Sequence, residues 1–215
     1  MQEKTIPSTT PRPRLFVLGD SISMHYGPSL EQALRGEWQY ARKGGREESL
    51  DQGTGANGGD SAAVRGYLAE RLASGGIAAD WLLFNCGLHD LKADRRTGRL
   101  QVALPDYIAN LRAILETIGQ LRLRPVWVRT TPVVEALHNA VPGPKDFNRF
   151  AQDVITYNAA ADRIVGAAEI PSIDLYSFTA PLLPGATYDG VHFNEDVRAR
   201  QGRFIANELR RMAGV

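Results

Sequence analysis

Cysteine, net charge and long apolar runs are all scarce in this sequence. The single cysteine, Cys86, excludes an internal disulfide and any cysteine-rich zinc site. The 25 Lys and Arg residues nearly balance the 24 Asp and Glu residues, so the formal charge is only +1. An electrostatic nucleic-acid binder needs a basic stripe, and this balance argues against one. No apolar run approaches the roughly 18 residues that a membrane-spanning helix requires.

The remaining composition is that of a globular protein. The 215 residues suit one domain, and 43% hydrophobic with 23% charged residues argues against disorder. We expect residues 1–13, which carry three prolines, to form a flexible lead and residues 14–215 to form one domain. The lead lacks an apolar signal core of about 7 to 15 residues. The protein is therefore either cytoplasmic, or secreted or periplasmic after removal of a signal peptide.

Short apolar runs alternate with helical patterns along the chain. The predicted strands are residues 14–18, 37–42, 80–86, 124–131 and 171–175. The predicted helices are residues 28–34, 61–72, 105–121, 147–168 and 195–212, and the predicted loops are residues 43–60, 133–146 and 177–194. Such alternation predicts a three-layer α/β/α domain with a mostly parallel sheet of about five strands. Binding and catalytic sites in such sheets form beyond the carboxyl ends of the strands.

Ser21 and a distant Asp–His pair form the first candidate site. Ser21 follows a predicted strand in the turn Gly-Asp-Ser, where its hydroxyl would project above the sheet edge. Asp189 precedes His192 by three residues, close enough to orient the imidazole for a serine nucleophile. The alternative interpretation is structural: Asp20 or Ser21 caps a helix, and Asp189 and His192 are a capping acid and a surface histidine.

Two further segments lie at predicted strand or helix ends. The glycine turn at residues 57–61 opens a helix and is placed to aim a backbone N–H, although it is also an ordinary helix entry. Residues 87–90, Gly-Leu-His-Asp, follow the central strand. There His89 either points at a reacting carbonyl oxygen or is a satisfied histidine beside a capping Asp90.

These four segments, taken in order, resemble the four sequence blocks of the SGNH (GDSL-type) hydrolases. The resemblance spans nearly the whole chain and implies a flavodoxin-like fold and ester hydrolysis. It implies that Ser21 is the nucleophile, His192 the base and Asp189 its orienting acid. The implied oxyanion hole comprises the N–H groups of Ser21 and Gly59 and the side chain at position 89. The family normally has Asn there, and the sequence has His89; a neutral imidazole still offers one N–H.

Other chemically reactive residues have simpler interpretations. His25 is expected on a helix surface, and the alternative is that it lines the site. His138 is expected to be exposed to solvent in a loop, and the alternative is that it covers the site. Cys86 is expected to be buried in a strand. Four cations near the glycine turn are expected to be solvated or to meet an acidic or hydroxyl-rich substrate: Arg42, Lys43, Arg46 and Arg65. No His, Asp and Glu set has metal-ligand spacing, so we predict neither a metal nor another cofactor.

The leading functional hypothesis is a serine esterase that removes short acyl groups, acetyl above all, from a carbohydrate or small-molecule ester. Polar residues in the expected rim loops favour this substrate over a lipid, and nucleic acid and membrane partners are not expected. An arylesterase, thioesterase or lysophospholipase of the same family is the alternative enzyme. A non-catalytic binding module is a second class, favoured only by His89. A nucleotide binder is disfavoured because the first strand is followed by no phosphate loop.

Overall fold

A computed structural model of the protein describes residues 11–45, 55–140, 146–183 and 185–214. The first half contains β1 (Arg14–Leu18), α1 (Ser21–Ala33), β2 (Gln39–Arg42), α2 (Ser61–Ala73), β3 (Trp81–Phe84), β4 (Ala93–Asp94) and α3 (Leu104–Gln120). The second half contains β5 (Arg124–Val128), α4 (Glu135–Ala140), β6 (Phe147–Asn148), α5 (Ala151–Ala167), β7 (Ser172–Ile173), α6 (Leu175–Thr179), a 3₁₀ turn (Ala180–Leu182) and α7 (Glu195–Ala213).

Five parallel strands form the central sheet in the order β2-β1-β3-β5-β7. Strand β3 is buried at all four positions, which matches its uninterrupted apolar sequence Trp-Leu-Leu-Phe. Parallel strands covered on both faces are continuously apolar because neither side chain row meets water. The predicted mostly parallel sheet of five strands is confirmed.

Helices cover both faces of this sheet. The chain moves from β1 to β2 in one direction and then from β2 to β3 in the other, so right-handed crossovers put α1 and α2 on opposite faces. Helix α7 packs against α1, while α3 packs against both α2 and α5. The switch of direction between β1 and β3 opens a crevice at their carboxyl ends, where ligands bind in folds of this kind.

Polar caps fix the beginnings of three helices that face this crevice. Asp20 accepts a hydrogen bond from the N–H of Ile22 at 3.0 Å, and Asp60 caps α2. Asn194 caps α7 through the N–H of Val197 at 3.1 Å. These side chains satisfy N–H groups that a helix leaves without partners, and they set where each helix begins.

The structure corrects several predicted boundaries. Helix α1 begins at Ser21 rather than at residue 28, because Asp20 caps it. The helix packs against α7 and continues through Pro28. Helix α4 lies within residues 133–146, which we predicted to be a loop. Helix α6 starts at residue 175 and extends into the segment 177–194, which we predicted to be irregular, and the 3₁₀ turn lies wholly within that segment. Helix α5 begins at residue 151, four residues later than predicted, because Phe147 and Asn148 pair with β4. Residues 1–10 of the predicted lead and residues 46–54 of the predicted loop lie outside the described residues.

The two-stranded antiparallel ribbon of β4 and β6 was not predicted. It joins the segment after β3 to the segment before α5, and it places Arg149 beside residues 87–90. Among the described helices, none has both the length and the apolarity needed to cross a membrane.

Candidate active site

Ser21 lies at the carboxyl end of β1, as the first residue of α1. The first N–H groups of a helix have no partner within the helix and carry the positive end of its dipole. The hydroxyl Oγ of Ser21 lies 2.8 Å from Nε2 of His192, although the two residues are 171 positions apart. The predicted nucleophile and base are therefore brought within hydrogen-bond distance.

Asp189 binds the other side of the same imidazole. Its Oδ2 lies 2.6 Å from Nδ1 of His192, and its Oδ1 accepts the backbone N–H groups of Val191 and His192. Burial alone would raise the pKa of Asp189, but these hydrogen bonds hold it well below its ordinary value. An ionised carboxylate only accepts hydrogen bonds, so Nδ1 carries the proton and Nε2 is left free to accept one from Ser21.

The glycine turn before α2 is tied directly to the end of β1. The N–H of Gly58 donates to the carbonyl of Gly19 at 2.8 Å, and a side chain at Gly58 would collide with that carbonyl. Gly59 adopts φ +74°, a left-handed conformation that favours glycine. Its N–H donates to Oδ1 of Asn57 at 2.8 Å, so this expected oxyanion donor already has a partner within its own turn.

His89 and Asp90 have different environments after β3. The His89 side chain is only partly buried, and its charge interacts with that of His192. Asp90 is fully buried, and both of its carboxylate oxygens lie 3.0 Å from the N–H of Ser61. Asp90 therefore joins the glycine turn to the loop after β3, and the structure shows it bonded to Ser61 rather than to the His89 ring.

Two aromatic rings flank His192, and sequence analysis missed both contacts. His25, which we predicted on a helix surface, is buried, with its ring centroid 5.2 Å from that of His192. It lies four residues after Ser21 in a helix that begins earlier than predicted, so it shares the face of Ser21. The exposed Tyr188 ring stacks against the His192 ring, with the two ring centroids 6.0 Å apart.

His138 is also buried, contrary to its predicted solvent exposure. It lies on α4, and this helix packs against the Asp189 loop. A Cβ on Gly190 would lie 2.5 Å from the backbone nitrogen of His138. Arg149, which the sequence analysis did not identify, is buried next to it. No local pattern marks either residue, because both are buried by segments distant in sequence.

Two of the four cations near the glycine turn donate hydrogen bonds to backbone carbonyls. Arg42 donates to the carbonyls of Ser23 and Ala56, and Lys43 donates to those of Gly55 and Asn57. Arg65 is exposed, and Arg46 lies outside the described residues. Arg42 and Lys43 therefore hold the turn in place.

A shallow cleft of about 570 Å³ extends from Gly59 along α2. Its walls are Lys43, Gly44, Gly55, Asn57, Gly58, Gly59, Ala63, Gly66, Tyr67 and Glu70. Five of these ten residues are glycines, and the side chains of Lys43, Asn57, Tyr67 and Glu70 bring polar or charged groups to the cleft.

The remaining sulfur and metal-ligand candidates do not add to the site. Cys86 is buried, as predicted, but it lies two residues beyond the end of β3 rather than within the strand. Burial raises the pKa of its thiol well above the ordinary value. A thiol with a raised pKa is a poor nucleophile at neutral pH. Within the part of the chain that the structure describes, no group of three or more His, Cys, Asp and Glu side chains is arranged to hold a metal ion.

The chain as a whole is similar to known proteins in sequence pattern and in fold. Residues 17–200 match the model of the GDSL-like lipase/acylhydrolase family. No curated protein matches the chain by sequence. Similar solved structures include a lipase/acylhydrolase from Enterococcus faecalis (TM-score 0.68, 16% identity, 93% of this chain and 96% of that chain). A GDSL-like lipase from Bacteroides thetaiotaomicron (0.65, 13%, 94% and 89%) and an acetylxylan esterase from Geobacillus stearothermophilus (0.61, 17%, 94% and 94%) share the fold.

Proposed function

Since the chain belongs to the GDSL-like lipase/acylhydrolase family and is a carboxylic ester hydrolase, we propose that it is a serine esterase with Ser21 as nucleophile, His192 as base and Asp189 as orienting acid. One observation carries this proposal: a single imidazole lies 2.8 Å from the serine hydroxyl and 2.6 Å from the carboxylate. This is the geometry that nucleophilic catalysis by serine requires.

The proposed reaction has two stages. Oγ of Ser21 attacks the ester carbonyl carbon, and Nε2 of His192 takes the hydroxyl proton. The tetrahedral intermediate then collapses, and the alcohol leaves with the proton from Nε2. In the second stage water attacks the acyl carbonyl carbon and gives its proton to Nε2 of His192. The bond between that carbon and Oγ then breaks, Oγ takes the proton from Nε2, and the acid is released. Asp189 stays ionised throughout and stabilises the imidazolium that forms in each stage.

We propose three donors for the oxyanion: the N–H groups of Ser21 and Gly59 and the side chain of His89. The Ser21 N–H is supported by its place at the beginning of α1. The Gly59 N–H must first be released by Asn57, so in this proposal the Asn57 side chain turns away when the ester carbonyl enters. The His89 ring is supported by its position after β3 and by its access to solvent.

The proposed substrate is an acetyl or other short acyl ester of a carbohydrate. The cleft beside Gly59 supports this assignment, because the side chains of Asn57, Tyr67 and Glu70 offer hydrogen-bond partners there for the hydroxyl groups of a sugar. A structural relative is named as an acetylxylan esterase, which is consistent with this substrate. At 17% identity that likeness concerns the fold, so the cleft carries the argument.

A second candidate is an aryl or longer acyl ester. Leu137, Phe150 and Tyr188 are all more than a third exposed. Leu137 and Phe150 adjoin the buried pair His138 and Arg149, and Tyr188 precedes Asp189. The Tyr188 ring also stacks against His192, so in this second candidate these exposed apolar side chains would contact an aryl or longer acyl group.

Replacement of the nucleophile tests the proposed chemistry. Ser21→Ala should lower ester turnover by a factor of about 10⁴ or more without unfolding the protein, because nothing else attacks the carbonyl. A fluorophosphonate should label the wild type at Ser21 and leave the variant unlabelled, as intact-mass spectrometry would show. Ser23→Ala is the matched control, since Ser23 lies in the same helical turn with its hydroxyl bonded to the carbonyl of Asp20. Normal turnover by Ser21→Ala would rule out the assignment.

A chain-length series tests the proposed substrate. The kcat/KM values for p-nitrophenyl esters should fall from acetyl to octanoyl, and acetate should be released from acetylated sugars. A shallow, open cleft encloses little of a long acyl chain and so offers little favourable burial for it. A rising series would instead favour the second candidate and the apolar side of the site.

A further inference from the structure

Arg149 is a buried cation immediately behind the candidate site. Its side chain is almost fully enclosed, and burial lowers its pKa to about 10, so it is still charged at neutral pH. Its Nε donates to the carbonyl of Leu88 at 2.6 Å, and its Nη1 lies 3.2 Å from Nε2 of His138. A buried charge is costly unless its hydrogen bonds are met, so these two partners are held firmly.

The guanidinium determines which nitrogen of His138 carries a proton. Arginine only donates hydrogen bonds, so Nε2 of His138 must accept, and the proton of the neutral ring lies on Nδ1. That Nδ1 lies 3.3 Å from the backbone carbonyl of Asp189 and donates to it. A continuous chain of hydrogen bonds therefore runs from Leu88 through Arg149 and His138 to Asp189.

This chain joins two loops that have no covalent connection near the site. Leu88 immediately precedes His89, and Asp189 holds His192. Further contacts anchor the same region, since the N–H of Val134 donates to the carbonyl of Gly190 at 2.8 Å. The hydrogen bonds thus link the proposed oxyanion donor on one side to the proposed acid on the other.

We propose that Arg149 and His138 are a pair of positioning residues that hold the His89 loop and the Asp189 loop in register for ester hydrolysis. The inference rests on the proposed function for its effect on rate, although the hydrogen-bond chain itself exists in the free protein. Neither residue touches the reacting atoms. Both act through His89 and Asp189, whose placement governs the transition state.

Kinetics of matched variants test the effect on rate. Arg149→Met and His138→Phe should each lower kcat by roughly 10 to 10², with KM changed less than about threefold, because displacement of catalytic groups by about 1 Å costs this much. His138→Gln keeps an acceptor and a donor on one side chain and should retain more activity than His138→Phe. The double variant should be little worse than the poorer single variant, because both substitutions break one chain.

Arg95→Met is the control for loss of an arginine in this region. Arg95 is exposed and donates to Asn148 and to the carbonyl of Asn139, so it supports the same segments without reaching Leu88. Its kcat should stay within about threefold of the wild type. If Arg149→Met also stays within threefold while the wild type turns over esters, the positioning role is wrong.

The tautomer of His138 tests the chain without any substrate. The protein has four histidines, so ring ¹⁵N spectra are simple to assign, with His138→Gln identifying the resonance. The free wild type should hold His138 with the proton on Nδ1, and Arg149→Met should release it to a mixture of tautomers. A wild-type His138 with its proton on Nε2 would overturn the proposal, even if the esterase assignment stands. If Arg149→Met does not fold, the wild-type spectrum and the comparison of His138→Gln with His138→Phe still decide.

Discussion

His89 is the one proposed oxyanion donor that titrates. Burial, followed by the neighbouring charges of Lys92 and Arg149, lowers its pKa to about 4. The ring is therefore neutral above about pH 5 and presents one N–H and one acceptor nitrogen. At neutral pH it resembles the asparagine amide of the family in offering an uncharged donor, and it brings no positive charge of its own to the site.

Substitution of His89 should separate this role from a structural one. His89→Ala should lower kcat by roughly 10² with a smaller change in KM, because the oxyanion exists only in the transition state and its neighbours. His89→Asn should recover part of the loss by restoring an amide donor. Steady-state kinetics at pH 7 and 8 would measure both effects. If His89→Ala keeps kcat within about threefold, the backbone N–H groups of Ser21 and Gly59 are the only donors of the proposed set.

The residues that sequence analysis found and missed differ in where their information lies. Short local motifs next to helix and strand ends contain Ser21, Asp189 and His192, so the sequence alone identifies these residues as candidates. His25 and His138 were wrongly expected at the surface. His25 is buried because Asp20 begins α1 earlier than periodicity indicates, and His138 because α4 docks on Gly190. Burial of this kind depends on which distant segment covers a residue.

At the scale of elements, helices α1 and α7 pack closely against each other beside the site. Gly202 allows the contact: a Cβ there would lie 2.7 Å from the backbone nitrogen of Leu30 and 2.8 Å from the carbonyl of Tyr26. These are backbone atoms, which cannot rotate away as a side chain does. Ser21 begins α1, and His192 lies three residues before α7, so the spacing of these helices also sets the spacing of the two residues.

Gly202→Ala should therefore push the two helices apart. Overpacking typically costs about 1–3 kcal/mol, and the better helix propensity of alanine offsets about 1 kcal/mol of it. We expect a lower free energy of unfolding in urea and a lower kcat. Gly66→Ala in α2 is the control, because its Cβ would meet nothing within 4 Å and should leave stability equal or higher. Equal stability of the two variants would contradict the close contact.

Element boundaries show what periodicity can and cannot predict. The prediction for β1 is confirmed residue for residue, because an apolar run between a proline and a glycine has clear ends. The predicted fifth strand, residues 171–175, is only Ser172–Ile173 in the structure, since Leu175 already begins α6 with Asp174 as its cap. Strand ends set by pairing and helix starts set by caps compete for the same few residues, and spacing alone does not decide between them.

At the scale of the whole molecule, the fold follows from alternation and handedness. Once five apolar runs alternate with helices, right-handed crossovers leave few possible topologies, and the parallel three-layer architecture was predictable. The β4–β6 ribbon was not, because two-residue strands carry no detectable alternation. That ribbon brings Arg149 to Leu88, so the missed element and the missed residue have the same origin.

The buried carboxyl of Asp90 should make the stability of the whole protein depend on pH. Burial raises its pKa from 3.8 to about 7, although the N–H of Ser61 acts in the opposite direction. The folded protein then binds the proton more tightly than the unfolded chain does. The free energy of unfolding should consequently fall as pH rises from about 4 to about 7.

Asp90→Asn should remove this dependence. The oxygen of an asparagine side chain can still accept the Ser61 N–H, and the amide does not ionise. As pH rises from 5 to 8, the free energy of unfolding of the variant should therefore increase relative to that of the wild type by about 1 kcal/mol or more. Urea unfolding at the two pH values would measure the difference. Asp80→Asn is the control: the hydrogen bonds from Arg14 lower the pKa of Asp80 below its ordinary value of 3.8, so Asp80 is ionised in both states from pH 5 to pH 8 and this variant should follow the wild-type pH profile. Parallel pH profiles for wild type and Asp90→Asn would show that Asp90 is ionised throughout.

The separation of Ser21 from His192 by 171 positions has a consequence for biosynthesis. On the ribosome, a chain that has emerged as far as α6 already carries Ser21, yet the imidazole that would activate it is still in the exit tunnel. N-terminal parts of a chain fold first during translation, but here α1 cannot pack against α7 until α7 has left the exit tunnel. Esterase activity should therefore appear only after α7 has left the ribosome, and the proposed nucleophile stays inactive until then.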